Sequence, residues 1–125
     1  MSSLLTYKDI GVYLIEKIPE FSGVYRNHIA NNGGVLPHPL LDDFTKFVID
    51  FYCKSKVDPQ VIKILDKCLD FIEELFLSGD EQLENLACVS FLENLHQAGR
   101  QYYELRNLLR KKSLKQMEAI ENWRP

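Results

Sequence analysis

Glu93 and His96 form a pair whose spacing matches part of a known metal-binding motif. An E-x-x-H pair presents both side chains on one face of a helix, and di-iron bundles combine two such pairs with two further glutamates. This sequence has a single copy, and no Cys-x-x-Cys or His-x-x-x-His motif accompanies it. We therefore predict no metal site and no cofactor. We expect His96 to lie near a helix C-terminus and to interact with its last carbonyl groups.

Residues for nucleophilic or acid–base catalysis are also missing from the sequence. No serine or cysteine lies in a nucleophile elbow, and Gly33-Gly34 lacks the lysine of a phosphate-binding loop. Acidic residues do occur in adjacent pairs, but neighbouring positions on a helix point in different directions and do not converge on one substrate atom. These pairs are Asp42-Asp43, Glu73-Glu74 and Asp80-Glu81. We predict no catalytic residues and expect that the protein is not an enzyme.

The acidic residues are concentrated in one segment. Residues 1–99 carry eight Lys or Arg against fifteen Asp or Glu, whereas residues 100–125 carry seven against three. Between residues 66 and 93, Lys67 is the only basic residue among eight carboxylates. One interpretation is a solvated helix face. The other, which we adopt as a hypothesis, is a partner-binding surface that mimics phosphate spacing and steers a basic partner towards it. Its residues are Asp66, Asp70, Glu73, Glu74, Asp80, Glu81, Glu84 and Glu93.

A basic segment follows the acidic one. Its charged residues can form a stripe on a helix, and two tyrosines lie nearby, a combination that is typical of nucleic-acid binding. The net charge of −7 over residues 1–99 would, however, repel a polyanion. We predict no direct nucleic-acid contact and expect a solvated helix face docked beside the acidic segment. The residues concerned are Tyr102, Tyr103, Arg106, Arg110, Lys111, Lys112 and Lys115.

The acidic residues are expected to lie on a helical hairpin at residues 57–98. Asp58 can cap its first helix, and Pro59 suits the first helical position, where no N–H group is needed. Gly79 can supply a left-handed residue at the corner, and Asp80 can cap the second helix. The second helix contains the uncharged run LACVSFL, residues 86–92. We predict that this run is the central helix of the core.

Helical spacing of apolar residues continues through the rest of the chain. It predicts helices over residues 7–18, 20–31, 40–54 and 100–112, with a continuation or restart over residues 113–123. Residues 35–39 are expected to be extended, because each proline disfavours helical backbone in the residue before it. The predicted fold class is all-α, with about six helices in stacked antiparallel hairpins, either HEAT-like or a compact helical bundle. One helical domain over residues 1–125 is expected at this length.

The cysteine count and the lack of a recognisable targeting segment predict a cytoplasmic location. The first residues lack the basic region and the cleavage site of a signal peptide, and no apolar run approaches the roughly 18 residues of a membrane span. The three cysteines are an odd number, and they fit reduced thiols in a protein core better than a disulfide framework. We expect a cytoplasmic protein without a membrane partner.

Two stretches of the sequence resemble a family of small helical bacterial proteins. NNGGVLPHPLLDDFTKFVIDF, residues 31–51, resembles a signature in which Gly-x-Leu-Pro-His precedes an aromatic-rich helix. ELFLSGDEQLENLACVSFLENL, residues 74–95, resembles the second signature, a hairpin that ends in Val-Ser-Phe-Leu-Glu-Asn-Leu. The positions that match the family pattern are Gly34, Pro37, His38, Asp80, Phe91, Leu92, Glu93, Asn94 and Leu95.

Many proteins of this kind resemble the immunity partners of polymorphic toxins, including those of contact-dependent growth inhibition systems. The resemblance implies a cytoplasmic protein that binds and neutralises one cognate toxin protein, which we expect to be a nuclease domain with a basic cleft. The alternative is a helical-repeat scaffold or adaptor that binds a protein or peptide through the aromatic helix at residues 44–52 or through the C-terminal helix. The oligomeric state is left open.

Overall fold

The computed structural model describes residues 4–123, and within that range the chain forms helices and no strand. The predicted all-α class is confirmed. Three short 3₁₀ segments join the helices, at Pro19–Phe21, Pro59–Val61 and Leu92–Gln101. The seven α-helices found within residues 4–123 are α1 (Ile10–Lys17), α2 (Ser22–Asn32), α3 (Pro37–Ser55), α4 (Ile62–Leu77), α5 (Glu81–Ser90), α6 (Tyr102–Arg106) and α7 (Lys111–Trp123).

Helix α3 is at the centre of the bundle. It packs against α1, α2, α4 and α5 and against the Leu92–Gln101 segment, whereas α5 packs mainly against α3, α4 and that segment. The prediction that residues 86–92 form the central helix was therefore wrong. Leu86, Ala87 and Phe91 are fully buried, but Val89 is 42% exposed. Of the two predicted arrangements, a central helix surrounded by the others corresponds to the compact bundle.

Helix α3 begins three residues earlier than predicted. Residues 35–39 were expected to be extended, but Pro37 is the first helical residue, and Leu36 just before it has extended backbone. The first four N–H groups of a helix have no partner within it, so prolines at the first and third positions remove no hydrogen bond. The Leu40 N–H then donates to the Leu36 carbonyl at 2.9 Å. Proline here starts the helix.

The corner between α4 and α5 is built as the sequence indicates. Gly79 has a φ of 74°, which is the left-handed region that favours glycine. The Asp80 carboxylate accepts from the Gln82 N–H at 2.8 Å and from the Leu83 N–H at 3.4 Å. Asp58 likewise caps the Pro59–Val61 turn that leads into α4, at 3.0 Å from the Gln60 nitrogen. Both predicted caps are confirmed.

The second helix of the hairpin is shorter than predicted. It was expected to reach residue 98, but α5 ends at Ser90 and a 3₁₀ segment follows. The Ser90 carbonyl accepts from the Thr45 hydroxyl at 2.8 Å and from the Asn94 side-chain amide at 3.1 Å. The Asn94 N–H bonds to the Phe91 carbonyl instead, at 3.1 Å. In an α-helix the Asn94 N–H would bond to the Ser90 carbonyl. The two side chains occupy that acceptor, and the backbone forms a 3₁₀ segment instead.

The end of the chain also differs from the prediction of one helix over residues 100–112. The 3₁₀ segment continues to Gln101, with a break at Gly99, whose φ is 61°. Helix α6 spans only five residues. A turn at residues 107–110 then leads into α7, which begins at Lys111. The predicted restart is therefore confirmed, although it comes two residues earlier than expected.

The core is dominated by phenylalanine rings that meet around Phe44. The Phe44 side chain is fully buried, and its ring centroid lies 5.5 Å from Phe21, 5.4 Å from Phe71 and 6.0 Å from Phe91. The first two pairs are edge-to-face, an arrangement that adds about 0.5–1.5 kcal/mol to the burial of each ring. The aromatic face of α3 is therefore part of the core. An adaptor that binds a partner through residues 44–52 would therefore have few of these aromatic side chains available for contact.

The three cysteines have different environments. Cys68 is buried, Cys88 is half-buried and Cys53 is exposed. The expectation that all three lie in the core is correct only for Cys68. None of the helices within residues 4–123 has the length and apolar character needed to cross a membrane.

Candidate functional site

The single E-x-x-H pair does not assemble into a metal site. Within residues 4–123, no three His, Cys, Asp or Glu side chains are grouped so that they could bind a metal ion. His96 Nδ1 lies 2.7 Å from the Glu93 carbonyl oxygen. The imidazole thus contacts a carbonyl near the start of the Leu92–Gln101 segment, not the last carbonyls of a helix as predicted, because α5 ends before it at Ser90.

A serine and a histidine do meet, at a place that motif spacing did not predict. His38 Nδ1 lies 2.7 Å from the Ser90 hydroxyl oxygen, although the two residues are 52 positions apart in the chain. Ser90 is only 2% exposed, so its hydroxyl is closed to a substrate. The pair joins the start of α3 to the end of α5. The sequence could not predict this pair, because it forms only when the two helix ends pack together.

The two stretches that carry the family resemblance therefore contact each other. Besides the His38–Ser90 pair, the Asn94 side-chain amide donates to an Asp42 carboxylate oxygen at 2.8 Å. His38 and Asn94 are both family-pattern positions, and here each makes a contact between elements. These positions hold the fold together.

Two of the predicted surface carboxylates are occupied by the C-terminal segment. Arg110 donates from Nε to Asp70 at 2.7 Å and from Nη2 to Asp66 at 3.1 Å. The hydrogen bond to Asp70 raises the pKa of Arg110 above its ordinary value, against the opposing effect of burial. The expectation that the basic segment docks beside the acidic one is confirmed.

Glu73 caps a helix that is distant in sequence. One carboxylate oxygen accepts from the Ser113 N–H at 2.9 Å and from its hydroxyl at 2.8 Å, and the other accepts from the Lys112 N–H at 3.0 Å. These donors belong to the first turn of α7, where N–H groups have no partner within the helix. Burial alone would raise the pKa of Glu73. The hydrogen bonds and the Lys112 charge outweigh it, so the pKa of Glu73 is below its ordinary value.

Glu74 and Asp80 also have structural partners. The Tyr13 hydroxyl donates to Glu74, which ties α1 to α4. Burial and then this hydrogen bond raise the pKa of Tyr13 well above its ordinary value. Asp80 is the cap of α5 described above. Five of the eight predicted surface carboxylates thus make contacts that hold the fold together.

The remaining three carboxylates lie on the outer side of α5 and of the segment after it. Glu81 and Glu84 are in the first turn of α5, where Glu81 is exposed and Glu84 is half-buried, and within residues 4–123 neither side chain makes a hydrogen bond or an ion pair. Glu93 is half-buried. Burial, then Glu93 and then Glu84 raise the pKa of Cys88, so both carboxylates act on the same thiol. We call Glu81, Glu84 and Glu93 the α5 acidic face.

A groove borders the α5 acidic face. It has a volume of about 360 Å³ and runs between Glu93 and the side of α7 that carries Gln116, Ala119, Ile120 and Trp123. The Trp123 side chain is 85% exposed. The groove thus combines a carboxylate rim with apolar walls.

Basic residues of the C-terminal segment are divided between internal and outward positions. Arg106 pairs with Glu121, and Arg110 pairs with α4 as described. Lys111, Lys112 and Lys115 line a shallow depression of about 300 Å³ next to Leu77 and Glu73. The continuous stripe predicted from the sequence is therefore interrupted. Only its lysines face outward together.

Comparison with known protein families identifies the family of this chain. The family described as "Domain of unknown function (DUF7674)" matches residues 12–124, which is most of the chain. No curated protein and no solved structure matches the chain.

Proposed function

This chain belongs to the family described as a domain of unknown function (DUF7674), and from that premise we propose that it is an immunity protein. It binds a cognate toxin protein in the bacterial cytoplasm and neutralises it, and the toxin domain is a nuclease with a basic cleft. The observation that carries the proposal is the α5 acidic face, whose Glu81 and Glu84 have no partner within residues 4–123. The resemblance of residues 31–51 and 74–95 to immunity proteins supports it.

Charge gives the physical reason for assigning the contact to the α5 acidic face. An arginine or a helix N-terminus that already contacts a carboxylate offsets its negative charge, so the carboxylate attracts a further cationic partner only weakly. Asp66, Asp70 and Glu73 are therefore not part of the proposed contact surface while α7 is in place. The Glu81 and Glu84 carboxylates have no partner within residues 4–123, so they keep their field. Such carboxylates speed the approach of a cationic protein by about tenfold to a thousandfold in favourable cases. The binding surface is therefore smaller than the sequence alone indicated, and it is shifted towards α5.

The proposal is tested with the toxin domain encoded directly upstream of this gene. Co-expression with this protein should restore growth, and the purified proteins should form a stable complex. The variant Glu81→Lys/Glu84→Lys should bind more weakly and protect less. A matched control, Asp50→Lys/Glu118→Lys, makes the same change in net charge at exposed positions on α3 and α7 and should protect as well as the wild type.

Three outcomes would overturn the proposal. One is the absence of a toxin-encoding reading frame near the gene, with the gene instead in a metabolic operon. Another is a toxin that kills equally well with and without this protein. Equal loss of protection in both charge-reversal variants would contradict the assignment to the α5 acidic face and would leave net charge as the cause.

A second candidate, a protein adaptor, is favoured by one observation, the groove beside Trp123. An exposed tryptophan beside apolar walls is typical of a site that receives a large side chain of a peptide or protein. The adaptor would use the C-terminal helix. Replacing Trp123 with alanine would then abolish binding to a partner, while the Glu81→Lys/Glu84→Lys variant would bind as the wild type does.

A further inference from the structure

Helix α7 is attached to the rest of the bundle by few buried apolar groups. Of its residues only Ser113 and Met117 are buried, and Leu114 and Ile120 are half-buried. It packs on α4 and follows a turn at residues 107–110. By comparison, α4 buries seven residues. The hydrophobic contribution to holding α7 is correspondingly small.

Polar contacts also attach the start of α7 to α4. Arg110, the residue just before the helix, reaches Asp66 and Asp70, and Glu73 caps the first turn through Lys112 and Ser113. We call these contacts the N-terminal clamp. Their side chains are only partly buried: Arg110 is 32% exposed, Asp66 53% and Asp70 63%. Exposed ion pairs of this kind contribute little each and weaken as salt screens them.

A second set of contacts holds the other end of α7. Glu121 accepts hydrogen bonds from the Arg106 guanidinium and from the Tyr102 hydroxyl, and both donors lie on α6. Arg106 is 18% exposed and Glu121 26% exposed, so this pair is less accessible to solvent than the clamp. The two ends of α7 are therefore held by polar groups, with Met117 between them.

We propose that α7 is a strap that opens from α4 as a unit while α1 to α5 remain folded. Its opening releases Asp66 and Asp70 from Arg110 and Glu73 from the start of α7, so that all three carboxylates can bind a cationic segment of another protein. The chain itself indicates the chemistry of that segment: an arginine placed directly before a helix N-terminus, as in residues 110–113. The proposal does not depend on the partner being a toxin, because it concerns the contacts that close the strap.

Hydrogen exchange of the unmodified full chain tests whether the strap opens. At low salt, amides of Lys111–Trp123 should exchange faster than the buried amides of α3 and α4, because opening requires less free energy than global unfolding. Raising sodium chloride from about 0.01 M to about 1 M shortens the screening length from about 30 Å to about 3 Å. Exchange in α7 should then rise by about tenfold, as for the loss of about one hydrogen bond. Exchange in α3 should change little.

A peptide with the sequence of residues 106–123 tests whether the carboxylates released by the strap bind a cationic segment. The Arg110→Gln full-length protein should bind this peptide about tenfold more tightly than the wild type, because its own strap competes less well. Adding Asp66→Asn and Asp70→Asn to that variant should remove the gain. A control peptide with Arg110→Glu should bind neither protein. Circular dichroism melts check that each variant folds.

Two results would overturn the proposal. In the first, α7 and α4 exchange at the same rate at every salt concentration, which would mean that the strap opens only when the whole domain unfolds. In the second, the peptide binds the wild type, the Arg110→Gln variant and the triple variant equally. The exchange measurement needs no substitution, so it decides the first point even if a variant fails to fold.

Discussion

Replacing Glu73 with glutamine tests the contact that fixes the start of α7. Glutamine keeps the size of the side chain but removes its charge. It leaves one oxygen in place of two and directs an amide N–H₂ group at either the Lys112 or the Ser113 N–H group. Wild-type Glu73 accepts three hydrogen bonds from these two residues. The variant can keep at most the bonds to its single oxygen.

The expected loss follows from the kind of contact that is removed. Removing a side-chain cap from a helix costs about 0.5–2 kcal/mol, and loss of the negative charge near the helix N-terminus adds about 0.3–1 kcal/mol. Glu73 is half-buried, so water replaces part of what is lost. We expect the free energy of unfolding to fall by about 1–2 kcal/mol at pH 7, out of a total of about 5–15 kcal/mol for a domain.

The difference between wild type and variant should depend on pH with a definite sign. The pKa of Glu73 in the folded protein lies below its ordinary value of 4.5. The charged carboxylate therefore contributes stability fully above that value, and the contribution disappears as the pH falls through the folded-state pKa. The stability difference should be constant between about pH 6 and pH 8 and should shrink on acidification below about pH 4.5.

Urea unfolding followed by circular dichroism at several pH values measures this difference. The control is Glu118→Gln, which removes the same charge from an exposed position on α7 and should change stability little. The reasoning is refuted if Glu73→Gln is as stable as Glu118→Gln at pH 7. It is also refuted if the loss at pH 7 persists undiminished well below the ordinary pKa of glutamate.

Three further predictions concern the core, a cap and the thiols. Phe44→Ala should lower the free energy of unfolding by about 3–5 kcal/mol in urea titration, because it empties the centre of the ring cluster. Asp80→Ala should lower it by about 0.5–2 kcal/mol through loss of the cap of α5, with little change in the urea dependence. In a thiol-reagent assay, exposed Cys53 should react readily in the folded protein. Cys68 should react only after unfolding, because burial raises its pKa to about 12.

The sequence predicts those parts of the fold that depend on neighbouring residues. Asp58 and Asp80 cap the segments that they precede, since a cap needs only a side chain and the N–H groups two or three positions later. Apolar spacing likewise locates the helices. The end of α5 could not be predicted, because it depends on Thr45, which lies 45 positions away from the Ser90 carbonyl that it contacts.

The candidate site depends even more on contacts between residues that are distant in the sequence. Counting charges correctly identifies an acidic segment and a basic one, and the two do meet. Spacing cannot show that Asp66 and Asp70 are taken by Arg110, which is 44 and 40 positions away. Nor can it show that Glu73 caps α7. The residue type does not reveal whether a carboxylate has a partner within the protein or faces solvent. Here the packing of α7 on α4 decides this.

The central claim, that the α5 acidic face recognises a cationic toxin domain, is tested most directly by an association rate. The rate constant with the toxin domain from the adjacent reading frame is measured by stopped flow at about 0.01 M and about 0.15 M salt, where screening lengths are about 30 Å and about 8 Å. For the wild type it should fall steeply with salt. For Glu81→Lys/Glu84→Lys it should be lower at low salt and depend less on salt. A rate constant that is the same in both proteins and at both salt concentrations would contradict the claim.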